Sequence, residues 1–308
     1  MNSNKAPTID LTSALLLLGL ATVWGGSFFF AEIALTEVPP LTITLHRVFW
    51  AIPALLLVVW WQKINIPRSL NTWLCYLVMG ALNNAIPFSL IFWGQVTIDS
   101  GLASILNGTT AVFGAVVASI FLIDEPLTHR KIIGAVFGLL GVAVIMGIGA
   151  LTHFDLRNLA QLAVLGAALS YAFASVWGKR YLSGHPPLMN ALGMLTGAAV
   201  LMIPIALLTD GVPDLTLSTT VWASLIAIAL LSTALAYLLY FKILVRAGSA
   251  NLMLVTLLIP PVAVSLSVTF LGEKLGYDAM AGFALIAVGL VITDGRLTRW
   301  LRQKMQIS

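Results

Sequence analysis

The side chains able to do chemistry stand out against a background that is 59% hydrophobic. His46 and Arg47 form a basic pair about two turns inside an apolar run that opens at Pro40. Asn83 and Asn84 interrupt a third run midway, with Pro87 and Phe88 about one turn further on. Asn107, Thr109 and Thr110 interrupt a fourth. Trp24, Tyr171, Tyr237 and Tyr240 place aromatic rings with a polar atom inside other runs, and Ser232 and Thr233 add two hydroxyls. These types bind rather than react. A guanidinium offers a fixed fork of donors. Amides and hydroxyls orient a solute, and aromatic rings wall an apolar side chain while their N–H or O–H stays free to bond it. On helical spacing Asn107 and Thr110 share a face, which Thr109 does not.

A catalytic reading finds no support in the same inventory. A membrane enzyme needs a nucleophile, a base or a metal cluster. All 12 Asp and Glu fall in links or at the ends of apolar runs, as do His129, His153 and His185. Cys75 is the only cysteine, so it builds neither an internal disulfide nor a thiolate metal site. The expectation is therefore no catalytic residue, no metal and no cofactor. Each binding candidate also has a plainer reading. Trp24 and Tyr171 could fill a core, Asn83 and Asn84 could join helices by hydrogen bonds, Tyr240 could anchor at an interface, and Arg47 could snorkel toward a membrane surface.

The elements that must position these residues are membrane helices. Only 9% of the 308 residues are charged, against about 25% in soluble domains. A spanning helix needs about 20 mostly apolar residues. The runs predict ten: 11–34, 40–62, 70–93, 101–122, 131–150, 160–178, 187–208, 219–243, 250–271 and 278–295. Lys5 followed by the apolar run from Ala14 mimics a signal peptide, but the recurrence of that segment as the sixth helix argues against cleavage.

That recurrence runs the length of the chain. Pro39-Pro40-Leu41 returns as Pro186-Pro187-Leu188, offset by 147 residues. Asp124-Glu125-Pro126-Leu127 aligns with Gly272-Glu273-Lys274-Leu275, and Gly134 and Gly141 align with Gly282 and Gly289, offset by 148. Trp24 then corresponds to Tyr171, and Asn83 and Asn84 to Ser232 and Thr233. The expected architecture is all-α: a first five-helix repeat over 1–152 and a second over 153–308. Five crossings reverse the entry side of the second copy, so the repeats are inverted, a plan that places a substrate site near the midplane. With both termini cytoplasmic, 13 of the 16 Lys and Arg fall inside, as the positive-inside rule requires. That orientation puts 151–159 outside. The basic residues follow the membrane and show no aromatic interleaving, which argues against nucleic acid.

Several motifs resemble one family. Trp24-Gly25-Gly26-Ser27-Phe28, Leu106-Asn107-Gly108-Thr109-Thr110-Ala111, Leu257-Leu258-Ile259-Pro260-Pro261 and Leu271-Gly272-Glu273-Lys274-Leu275 are similar to motifs of EamA-type proteins in the drug/metabolite transporter superfamily. Arg47 matches an arginine common at this place in the family. Ala111 stands where the family often has proline, which implies a fourth helix straighter than its Pro260-containing counterpart. The resemblance implies export or exchange of small metabolites by alternating access. Within the family the chain looks most like bacterial amino-acid exporters of the inner membrane. The expected substrate is an amino acid with an aromatic or large apolar side chain; sugars, nucleosides and drugs are the alternative. The expected binding set is Trp24, His46, Arg47, Asn83, Asn84, Phe88, Asn107, Thr110, Tyr171, Ser232 and Tyr237. The expected partners are this solute and the lipid bilayer; oligomeric state stays open, and a monomer is compatible with the sequence. No acid lies near Trp24, and His46 beside Arg47 is a poor proton carrier. The expected mode is facilitated diffusion or exchange.

Overall fold

The computed structural model describes residues 10–123, 125–147 and 156–294. The predicted link 151–159 lies outside these residues in its first part, as do Lys5 and the basic residues from Arg296 onward. Ten helical segments run through the described chain: α1 Leu11–Ala34, α2 Pro40–Trp61, α3 Leu70–Gln95, α4 Ser100–Phe121, α5 His129–Met146, α6 Leu156–Leu182, α7 Pro187–Thr209, α8 Thr219–Gly248, α9 Val255–Leu271 and α10 Tyr277–Thr293. Eight are long and apolar enough to cross a membrane; α9 and α10 are shorter apolar helices. Among the described residues there is no strand.

Local chemistry explains the boundaries. Asp10 caps α1 by accepting from the Ser13 amide at 2.9 Å, as an N-cap carboxylate does. Pro40 and Pro187 open α2 and α7 at a position where the missing N–H costs nothing. Gly248, at φ +79°, breaks the end of α8 and delays α9 to Val255, later than the expected 250. The largest departure is α4. It tightens into a turn at Gly108–Thr109 although no proline follows, whereas α9 runs helically through Pro260 and Pro261. The fourth helix, expected to be straighter than its Pro260-containing counterpart, is thus interrupted at Gly108–Thr109. The hydroxyls of Thr109 and Thr110 donate to the carbonyls of Leu106 and Asn107, both at 2.7 Å, and this local bonding competes with the helical ladder.

The two halves interleave. α1 packs on α8 and α9 as α6 packs on α3 and α4; α3 packs on α7 as α8 packs on α2; α2 packs on α7, and α5 on α10. Exchanging the halves maps this pattern onto itself. The α5–α10 contact is the tightest kind. A Cβ added to Gly134 or to Gly289 would lie 2.6 Å from the other's carbonyl oxygen, and Gly141 and Gly282 stand in the same relation at 2.6 Å. Numbers rise along one helix as they fall along the other, so α5 and α10 are antiparallel. Large apolar side chains such as Leu57, Trp60, Leu208 and Val245 remain exposed on the flanks, at 63–87%, as lipid-facing residues should be.

At the end of the bundle carrying residues 35–39, carboxylates hold the links together. Asp210 Oδ2 accepts from the amide and hydroxyl of Thr42, both at 2.9 Å. Glu273 accepts from the amide and hydroxyl of Ser100 at 2.9 and 2.7 Å and from the Gly101 amide at 3.1 Å. Glu37 accepts from the Ser218 amide at 2.8 Å. The opposite end is tied by Glu125 to Lys179 at 2.8 Å and by Asp10 to Arg246.

Candidate functional site

Two widened turns make the site. α3 opens into π-helix at Ala81–Ala85 and α8 at Leu230–Leu235. They occupy corresponding places in the two halves, and each carries a polar pair: Asn83 and Asn84, then Ser232 and Thr233. A π-turn redirects side chains and releases carbonyls, and it recurs at functional sites. Pro87 accounts for the first, because it cannot donate to the Asn83 carbonyl. Ala236 stands at the matching place in the second, and nothing in the local sequence explains that one. Released carbonyls find side-chain partners. Leu82 O accepts from Ser170 Oγ of α6 at 2.7 Å, and Ile228 O accepts from Thr233 Oγ1, five residues on in the same helix, at 3.0 Å.

Arg47 lies between these turns and is 6% exposed. Its Nε donates to Thr233 Oγ1 at 3.0 Å, its Nη1 to Ser27 Oγ at 3.0 Å, and its Nη2 to the Ser232 carbonyl at 3.5 Å. Its Cζ lies 3.6 Å from the centroid of the Phe88 ring and 5.8 Å from that of Phe92. Snorkelling is excluded by this geometry, since the head group points into the bundle. Among the described residues no carboxylate comes within ion-pair distance of it. A cation–π contact returns about 2 kcal/mol when desolvated, whereas burying an unpaired charge costs several kcal/mol. The three bonded acceptors are all neutral, so the charge is solvated but not balanced.

A second cluster abuts the first. Tyr237, one turn from Thr233, donates to Asn84 Oδ1 at 3.1 Å and accepts from Asn83 Nδ2 at 3.2 Å. Asn83 Nδ2 also touches Met194 Sδ at 3.6 Å. Asn84 and Ser232 are fully buried, yet Asn84 Nδ2 and Ser232 Oγ have no hydrogen-bond partner. Tyr171 lies within electrostatic reach of both Arg47 and Tyr237. An aromatic chain leads away: Tyr237 stacks on Phe241 at 6.3 Å, Phe241 meets Tyr240 at 5.2 Å, and Tyr240 meets Trp24 at 5.9 Å. Tyr240 is thus part of this interior row, and it is the ring that Trp24 meets; the repeat counterpart of Trp24, Tyr171, lies instead within electrostatic reach of Arg47.

The structure therefore gathers Arg47, Asn83, Asn84, Phe88, Ser232 and Tyr237, keeps Tyr171 within electrostatic reach of them and joins Trp24 through aromatic rings. His46 lies elsewhere. Successive helical residues point about 100° apart, so His46 leaves the Arg47 side. Its Nδ1 accepts from Trp50 Nε1 at 2.9 Å, its ring meets Trp222 at 5.6 Å, and its Nε2 is buried without a partner. Asn107 stands at the α4 break with its Oδ1 buried and unpartnered, and no hydrogen bond among the described residues links it or Thr110 to Arg47. Two members, Ser27 and Thr233, stand outside the expected binding set. Ser27 was visible in the Trp24–Phe28 motif, and Thr233 as the counterpart of Asn84, but only the fold points both at Arg47. Gly25 in the same motif is a packing residue, because a Cβ there would lie 2.9 Å from Val262 Cγ1 of α9.

A pocket of about 600 Å³ opens at the end of the bundle, lined by Glu32, Thr36, Asp99, Glu273 and Lys274 among others. Gln95 stands behind it, with Nε2 donating to Phe28 O at 2.9 Å and to Glu32 Oε2 at 3.2 Å. Burial raises the Asp99 carboxyl above its usual range, and Glu273 nearby adds to this. Among the described residues no group of His, Cys, Asp and Glu has the arrangement of a metal site.

The model of the EamA-like transporter family matches the chain twice, over residues 11–147 and 158–293. The chain belongs to the EamA-like transporter family. The paired match repeats the division seen in the packing, and the family places this protein among membrane transporters. Relatives of this EamA-like protein span nearly its full length. The "Uncharacterized transporter YoaV" of Bacillus subtilis is 24% identical over 92% of this chain and 97% of its own. The "Probable amino-acid metabolite efflux pump" of Salmonella typhimurium is 26% identical, covering 90% and 93%. The "Probable terminal-alkyne amino-acid exporter" of Streptantibioticus cattleyicolor is 26% identical, covering 94% and 95%. A solved crystal structure superposes with a TM-score of 0.66 at 17% identity, over 92% of this chain and 96% of that one, which establishes the likeness of fold.

Proposed function

We propose that this protein exports small amphipathic metabolites, amino acids with aromatic or large apolar side chains, across the inner membrane by alternating access. The observation that carries this reading is the polar, aromatic-walled centre where the two matched π-turns meet. Unpartnered buried donors there await a polar solute, and the row Tyr237, Phe241, Tyr240 and Trp24 offers surface to an apolar side chain. The names of two relatives support amino acids over sugars, nucleosides or drugs.

In this reading the chain crosses ten times as two inverted repeats, 1–152 and 153–308. The antiparallel α5–α10 pair supports inversion, because these helices correspond in the two halves. Lys63, Arg68, Arg130, Lys131, Lys179 and Arg180 lie in links at, or helix turns near, one end of the bundle, which supports a cytoplasmic position for that end and for both termini. His46 and Asn107 are then accessory, lining the path in other conformations or packing the helices. The protein is a carrier rather than an enzyme, and transport follows the substrate's own gradient or exchange.

The test is counterflow in proteoliposomes across a panel of amino acids, nucleosides and sugars. Exchange of aromatic amino acids alone is the expected result; exchange of nucleosides or sugars in their place would reassign the substrate. Uptake above equilibrium that collapses with a protonophore would replace facilitated diffusion with proton coupling.

A further inference from the structure

We infer that the centre selects its solute by a carboxylate, held by Arg47, so that zwitterions and organic monoanions are carried and cationic or neutral analogues of the same size are not. This deepens the reading above and rests on it for the location of the site.

A guanidinium has five N–H donors. Three of those of Arg47 are spent on Thr233, Ser27 and the Ser232 carbonyl. One remains on each terminal nitrogen, which is the pair that grips a carboxylate two-pronged. The face of the guanidinium is already covered by Phe88 at 3.6 Å, so an anion must approach along the edge. Two more groups at the same π-turns are poised to help: Asn84 Nδ2 is a buried donor without a partner, and Ser232 Oγ is likewise unpartnered. Both residues are 0% exposed.

Charge decides between solutes. Among the described residues the nearest elements supply Arg47 only with hydroxyls, a carbonyl and rings, namely Ser27 from α1, Phe88 and Phe92 from α3, and Ser232 and Thr233 from α8. An incoming carboxylate balances a buried charge that the protein leaves unbalanced. An incoming ammonium without a carboxylate adds a like charge and finds no acid at the centre. The amine of an amino acid is met by neutral oxygens such as the Tyr171 and Tyr237 hydroxyls, so the amine is tolerated and the carboxylate is required.

The experiment measures thermal stabilisation of the purified wild-type protein in detergent, and competition against phenylalanine counterflow in proteoliposomes. Four probes are compared: phenylalanine, phenyllactate, phenylalaninamide and phenethylamine. Phenylalanine and phenyllactate are expected to stabilise and compete, and the amide and the amine to be weaker by about tenfold or more, the cost of leaving a charged partner unpaired. Equal action of phenylalaninamide and phenylalanine would overturn the carboxylate anchor and leave amino-acid export standing. Action of phenyllactate without phenylalanine would uphold the anchor and overturn the amino-acid reading. Inactivity of all four would overturn both. In Arg47→Gln the preference for acid over amide is expected to vanish, and Arg47→Lys to restore part of it; a variant that does not fold leaves the wild-type comparison decisive.

Discussion

The Arg47 guanidinium carbon lies over the Phe88 ring, 3.6 Å from its centroid, with both side chains buried. The two stand on different helices, α2 and α3, and the contact, with the hydrogen bonds to Ser27, Ser232 and Thr233, holds the guanidinium in place. Phe88→Leu keeps an apolar filler and removes the ring. We expect a loss of about 1–2 kcal/mol in solute binding, or roughly 5–30-fold in affinity, with near-normal expression. Binding equal to wild type would show that the hydrogen bonds alone orient Arg47.

Tyr237 joins the two asparagines of the first π-turn, accepting from one and donating to the other. Tyr237→Phe leaves the Asn84 amide buried with neither of its side-chain atoms bonded. The expected cost is about 1–3 kcal/mol of stability, read as a lowered melting temperature in detergent. Asn84→Ala in the same background should add little, since both changes remove one interaction. Fully additive losses would separate the two residues.

The glycine contacts between α5 and α10 make a sharper test of packing. Gly141→Ala places a methyl 2.6 Å from the Gly282 carbonyl oxygen, whereas the Gly114 Cβ position has nothing within 4 Å. Gly141→Ala should destabilise by about 1–3 kcal/mol through overpacking, and Gly114→Ala should not. The pair controls for the change of residue itself. Equal effects would mean that helix propensity, not close approach, governs these positions.

Glu37 gives a pH dependence outside the membrane segments. Hydrogen bonds from Ser218 hold its carboxyl below the ordinary value of 4.5. A depressed folded-state value means the charged form is favoured by folding. The contribution is therefore complete above about pH 4.5 and is lost as pH falls through the folded-state value. The group is exposed, so the effect is small. The melting-temperature difference between wild type and Glu37→Gln should shrink as pH is lowered from 6 to 3; a constant difference would assign the role of Glu37 to something other than its charge.

Topology is tested by labelling single cysteines after Cys75→Ser. Cysteines at 37 and 214 are expected to react with an impermeant reagent added outside intact cells, and cysteines at 63 and 179 only after the membrane is opened. External labelling at 63 would reverse the orientation and, with it, the direction of export.

Much of the frame was legible without coordinates because lipid imposes a simple rule: each crossing must satisfy its own backbone and present an apolar surface. Hydropathy alone placed α1, α2, α3 and α7 within a few residues. The recurrence of Gly134 and Gly141 as Gly282 and Gly289 marked the repeat, but that these glycines face one another across α5 and α10 came from the packing. Polar residues inside apolar runs named most of the centre, since lipid makes such residues costly wherever they are not used.

What the tertiary structure decided is where those side chains meet. Periodicity could not reveal the π-turn of α8, which has no proline, nor the break of α4 at Gly108, where two threonine hydroxyls bond their own backbone. His46 and Arg47 are neighbours in sequence and part in space, because one residue along a helix is a turn of about 100°. Ser27, Thr233 and Phe88 are distant in sequence and converge on one guanidinium, because three helices from different parts of the chain cross there. A sequence records which residues are polar and when they recur along one helix; the partner that makes a buried charge tolerable, or leaves it open for a solute, is set by packing between helices.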